Sequence, residues 1–115
     1  MPNAGMKRII IVLALLGLGG CSIPMAMQGN FSNTPETFQG SGTANGMGDA
    51  QFRIYSTLGR DCSAVAKGIH AGTGIFTCTN GESGDFTFVG NNSAGQGQGV
   101  LAGRPFTFTY VVVGN

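Results

Sequence analysis

The chain has 115 residues, of which 42% are hydrophobic and only 10% charged, with a formal net charge of +1. That length leaves room for one domain. Once the basic pair Lys7-Arg8 is set aside, Arg53, Arg60, Lys67 and Arg104 face Glu36, Asp49, Asp61, Glu82 and Asp85, one acid in excess. No basic stripe remains to hold a phosphate backbone, which argues against a nucleic-acid partner.

In chain order, Lys7 and Arg8 give a positive start, and Ile9 to Leu18 form an apolar run too short for an ordinary membrane span. This is the plan of a secretory signal peptide over residues 1–20, to be set aside from folding. Met6, directly before the basic pair, makes a more natural start than Met1. The run ends at Leu18-Gly19-Gly20-Cys21, with small residues before the cysteine. This tetrapeptide resembles the lipobox of bacterial lipoproteins. The resemblance implies cleavage before Cys21 and acylation of that cysteine (a diacylglyceryl group and a further acyl chain such as palmitate), so that a membrane is the first partner. Ser22, where an inner-membrane retention signal would carry Asp, implies sorting to the outer membrane of a Gram-negative envelope, with the domain facing the periplasm.

Residues 22–35 contain Pro24, Gly29, Pro35 and several Asn and Ser, and read, with the lipidated Cys21, as a flexible tether over 21–35. From Glu36 to the end at residue 115 the texture changes to short alternating segments of Phe, Thr, Val and Tyr punctuated by Gly and Asn, with no helical period. Strands are predicted near 37–44, 50–57, 61–67, 73–79, 84–90, 95–101 and 105–113. Short turns join antiparallel neighbours, so the fold class is all-β: an antiparallel meander of about six to seven strands, closed as a small barrel or packed as a compact sandwich.

Cys62 and Cys78 form an even pair in a small exported domain and predict one disulfide; a metal pair or two free thiols is the alternative, with His70 the only nearby soft ligand. A turn centred on His70 sets Cys62 opposite Cys78, Ala64 opposite Phe76, Val65 opposite Ile75 and Ala66 opposite Gly74. A two-residue turn at Ala102-Gly103 sets Gly99, Gly97 and Gly95 opposite Phe106, Phe108 and Tyr110, with Phe86 and Phe88 on the other side of the same glycines. Rings would then cover the bare glycines, and Gly40 and Gly42 facing Ile54 and Phe52 would repeat the device. Such roofing predicts a filled interior. The last strand carries no charge and no proline between Phe106 and Val113. It must therefore close the barrel against 37–44 or be covered by a partner chain.

The chemistry of an enzyme is missing from the sequence. His70 lies at a hairpin tip without a nucleophile elbow or orienting acid. Glu82 and Asp85 follow an Asn80-Gly81 turn, where polar residues are ordinary. Gly95-Gln96-Gly97-Gln98-Gly99 lacks the Lys-Ser/Thr pair and the helix of a phosphate loop. The expectation is a lipid-anchored, non-catalytic envelope protein without metal or cofactor. It would act as an interaction or structural module, as a peripheral subunit of a periplasmic or outer-membrane assembly, with another envelope protein as partner. The alternative is a lipid-anchored inhibitor of lysozyme, an analogy of architecture alone. A small-ligand carrier is disfavoured by the expected filling of the interior.

Overall fold

The computed structural model describes residues 22–113, so the expected signal segment 1–20 and Cys21 lie outside the described residues. Eight strands follow in order: β1 (Ile23–Phe31), β2 (Thr37–Ala44), β3 (Asp49–Ser56), β4 (Asp61–Gly68), β5 (Ala71–Cys78), β6 (Ser83–Gly90), β7 (Ala94–Leu101) and β8 (Arg104–Val112). Each pairs antiparallel with the next, and β1 pairs with β8, closing a barrel. The strands β2 to β8 are the seven that alternation predicts, shifted by at most two residues at either end.

The eighth strand is a correction. Residues 23–31, expected within a tether, are hydrogen-bonded on both edges, Met27 lying between Gly40 of β2 and Tyr110 of β8. Met25, Met27 and Phe31 point inward and are buried. The barrel is therefore closed as the uncharged last strand requires, but through β1 and not through direct pairing with 37–44.

The registers follow the sequence reading. Cys62 faces Cys78, Ala64 faces Phe76, Val65 faces Ile75 and Ala66 faces Gly74. Gly95, Gly97 and Gly99 face Tyr110, Phe108 and Phe106, with Phe88 and Phe86 on the other side of Gly97 and Gly99. Ala102 and Gly103 both have positive φ, 52° and 81°. That is the backbone of the tight primed turn whose twist suits a hairpin. Gly103 takes this conformation without strain, whereas Ala102 pays for its Cβ there.

Rows of inward residues around the wall alternate large and small, except where Gly72 meets Gly68. One runs Phe38, Gly29, Phe108, Gly97, Phe88, Gly72, Gly68; another runs Leu101, Gly84, Phe76, Ala64, Phe52, Gly42, Met25. A narrow barrel has no space for eight rings abreast, and Phe38, Phe52, Phe86, Phe108 and Phe106 lie over Gly29, Gly42, Gly74, Gly97 and Gly99. At Gly97 the Phe108 ring occupies the place a Cβ would take. Edge-on contacts such as Phe76–Phe106 at 5.5 Å and Phe86–Phe108 at 5.4 Å knit the stack.

Outward positions hold Gln28, Gln39, Gln96, Gln98, Thr107 and Thr109, with Arg53 and Lys67 further round. A membrane-spanning barrel turns a continuous apolar band outward; this wall mixes amides, hydroxyls and charges with the exposed aliphatics Val65, Ile75, Val89, Val100 and Val111. No helix among the described residues is long and apolar enough to cross a membrane.

Cys62 and Cys78 are disulfide-bonded across β4 and β5, and both are buried in the interior. With 16 residues of separation, the bond restricts the unfolded chain by about 3 kcal/mol. We expect Cys62→Ala/Cys78→Ala to lower the melting temperature by roughly 12–24 °C for a domain of this size. Reductant should reach the bond in the native barrel only after opening; an unchanged melt on full reduction would show that it adds no stability.

Candidate functional site

The two ends of the barrel differ in chemistry. At one end lie the connections after β1, β3, β5 and β7; at the other lie those after β2, β4 and β6, together with the start of β1 and the end of β8.

The first end is closed by ion pairs. The turns after β3 and β5 share one backbone: Ser56 N–H bonds to Arg60 C=O and Gly59 N–H to Ser56 C=O, just as Cys78 N–H bonds to Glu82 C=O and Gly81 N–H to Cys78 C=O. Gly59 and Gly81 both sit at positive φ, 93° and 94°. This is the short hairpin loop with a left-handed glycine that two antiparallel strands favour. It places Arg60 and Glu82, each directly after its glycine, at equivalent points of neighbouring hairpins. Arg60 Nε donates to Glu82 Oε1 at 2.7 Å, and its Nη1 donates to Glu36 Oε1 and Oε2 at 2.5 and 2.6 Å. The Ser56 hydroxyl donates to Glu36 Oε2 at 2.6 Å. Beneath the guanidinium lies the Phe31 ring, 5.2 Å away at its centroid.

Glu36 is the one buried charged residue among those described. Burial pushes its carboxyl up, but the Ser56 hydroxyl and the Arg60 guanidinium outweigh burial and hold it below the usual carboxylate range. Glu82 is likewise lowered, by Arg60 first and Asn80 second. Hydrogen bonds to Glu82 and Glu36 keep the guanidinium protonated at every accessible pH. Two carboxylates held ionised by a shared cation cannot serve as a general acid and base, since that work needs one of them protonated near neutral pH.

The second end is open. The turns 45–48, 69–70 and 91–93 surround a cavity of about 230 Å3 lined by Ile23, Met25, Phe52, Ile69, Phe86, Phe88, Phe108, Tyr110 and Val112, with Asn91 and Asn92 at one side. Here the filled interior expected from the sequence is corrected. Gly68, which lines the cavity, pairs with Gly72, so a small pair without a ring stands at this end. The Tyr110 ring, 6.2 Å from Phe88 between centroids, covers Gly90 and Gly95, whereas the atoms nearest Gly68 and Gly72 are backbone. Apolar side chains stand out on the rim, Met47 82% and Ile69 64% exposed and Val113 also exposed, among the polar turn residues Asn45, His70, Asn91, Asn92 and Ser93 and the lining carboxylate Asp49. Ile23 and Ile69 lie over the turn glycines Gly46 and Gly48.

The residues singled out from sequence separate. Cys21, the expected lipid attachment site, lies outside the described residues. Cys62 and Cys78 are joined. His70 stands exposed at the open end, its Nε2 3.0 Å from Asn92 Oδ1. Glu82 belongs to the ion-paired plug, while Asp85 faces outward on β6, so they form no carboxylate pair. Gly95 to Gly99 are strand β7, with no helix following. Among the described residues no group of three or more His, Cys, Asp and Glu is placed to hold a metal ion. Sequence reasoning missed the Glu36–Arg60–Glu82 plug and the apolar cup. Comparison with protein-family models, curated proteins and solved structures finds no match.

Proposed function

We propose that this chain is a lipid-anchored, non-catalytic envelope protein whose barrel is an interaction module within a periplasmic or outer-membrane assembly. The observation that carries the reading is an uncharged band on the outer wall. Thr87, Gln98, Thr107, Asn30 and Thr37 form one row across β6, β7, β8, β1 and β2, and Gln96, Thr109, Gln28 and Gln39 form the next. The ion pairs lie elsewhere: Arg53 pairs with Asp61, Lys67 with Asp49, and Arg60 with Glu36 and Glu82, while Asp85, outward on β6 opposite Val100, borders the band. A face of amides and hydroxyls without charge can dock a protein through hydrogen bonds without stripping water from ions.

The lipobox-like Leu18-Gly19-Gly20-Cys21 supports the anchor, and acyl chains on one cysteine hold a protein to a bilayer stably when there are two or more. Inhibition of lysozyme, the alternative, rests on a disulfide-bearing barrel alone.

Two measurements test the proposal. Intact mass from envelope extracts should show a chain beginning at an acylated Cys21, and Cys21→Ser should abolish processing; an unmodified N-terminus would reject the anchor. A photo-crosslinking residue at Gln28 or Gln98 should capture one discrete envelope protein, and the same residue at Ser63 on the opposite wall should not. Equal capture at all three sites would reject the band as an interface.

A further inference from the structure

We infer that the barrel stands on the bilayer through its open end, with Met47, Ile69 and Val113 buried in the lipid surface and the apolar cup opening onto the acyl chains. The inference rests on the anchor at Cys21 proposed above, and the geometry of β1 carries it further. Only Ser22 separates Cys21 from β1, and two residues of chain reach at most about 7 Å. β1 starts at the open end, where Ile23 pairs with Ala44 beside the turn after β2. A lipid on Cys21 would therefore bring this end, and no other part of the barrel, against the membrane.

The polarity of the two ends agrees. The far end carries Arg60, Glu36, Glu82 and Arg104, with Leu58 its one strongly exposed apolar side chain. The near end presents Met47 and Ile69, 82% and 64% exposed, as protruding apolar side chains. The titratable groups beside the rim are Asp49 and Lys67, paired with each other at 2.9 Å, and His70. Lys67 is placed to reach lipid phosphates while Met47 and Ile69 enter below them. The cup fits a lipid surface better than a separate ligand. Sites for complete small molecules run ~300–1,000 Å3, whereas this one holds about 230 Å3 and opens among the protruding residues.

The chain contains no tryptophan, so a single introduced one reports its own surroundings. The lipidated full-length protein, its acylation checked by mass, is reconstituted in phosphatidylethanolamine–phosphatidylglycerol vesicles with and without brominated acyl chains. Met47→Trp and Ile69→Trp should emit further to the blue in vesicles and lose emission to bromine. Leu58→Trp, at the opposite end and 69% exposed in the parent chain, should do neither. An acylated protein that floats with the vesicles but whose rim tryptophans behave like Leu58→Trp overturns the seating and leaves the anchor standing. An unmodified mass with no flotation overturns the anchor, and the seating with it.

Discussion

Deleting residues 22–31 while keeping Cys21 is expected to unfold the domain. A tether could be removed without consequence; a barrel stave cannot. Met27 and Phe31 are 3% and 1% exposed, and Met25 is 8% exposed. Burial of three such side chains is worth roughly 5–9 kcal/mol at ~1.5–3 kcal/mol each. That is comparable with the whole net stability of a small domain, ~5–15 kcal/mol. The ladders to β2 and β8 would be lost together, leaving Phe106 to Val112 as an uncharged edge strand, an aggregation hazard. Far-UV circular dichroism and a thermal melt decide the matter. In the intact chain, amide hydrogen exchange at 25–30 should be as slow as at 107–111. A deleted protein that keeps a cooperative melt, or fast exchange across 25–30 in the intact one, would show that β1 does not close the barrel.

Why β2 to β8 were legible and β1 was not is a matter of which residues fill the inward positions. In β8 the inward residues are Phe106, Phe108 and Tyr110, alternating with threonines, a pattern with strong strand preference. In β1 the inward set is Ile23, Met25, Met27, Gly29 and Phe31. The period of two is present, but methionine carries little strand preference, and Pro24, Gly29 and Asn30 resemble loop chemistry. Gly29 is small because the Phe38 ring lies over it, and that cause is visible only after β2 is placed beside it. One physical clue did point here. An uncharged last strand needs cover on its outer edge, and the missing stave is that cover.

The registers were readable because turn position alone fixes antiparallel pairing, and small residues opposite rings confirm it. The plug was less readable. Glu36, Arg60 and Glu82 are each separated by more than twenty residues in sequence. Their meeting depends on two hairpin turns of equal shape, at Gly59 and Gly81, lying side by side on one end. The repeated pattern of a glycine followed by a charged residue, Gly59-Arg60 and Gly81-Glu82, was the available signal. The cup could not be foreseen from glycine content, because glycine roofed by a ring and glycine facing glycine look alike until the register is drawn.

Arg60→Met is expected to destabilise the barrel by about 3–5 kcal/mol, since removing one member of a buried pair strands the other charge. The stranded group is Glu36, whose side chain has no exposed surface, while Glu82 at 26% can turn to water. Glu82→Gln should therefore cost less than Arg60→Met, and adding Glu36→Gln to Arg60→Met should restore part of the loss. The dependence on pH should change sign between parent and variant. In the parent, the Glu36 carboxyl lies below its ordinary value of 4.5, so the native state binds fewer protons than the unfolded chain. The plug's contribution is complete above that value and is lost as pH falls through the lowered one. In Arg60→Met, burial acts on Glu36 without its cation and raises the carboxyl. The native state then binds more protons than the unfolded chain, so this site gains stability as pH falls through the raised value and loses it as pH rises. Urea melts of parent, Arg60→Met and Arg60→Met/Glu36→Gln at several values between neutrality and acid measure the slopes. The difference between parent and single variant should shrink on acidification, and the double variant should carry no slope from this site. A constant difference at every pH would show that Arg60 acts through its packing over Phe31 and not through its charge on Glu36.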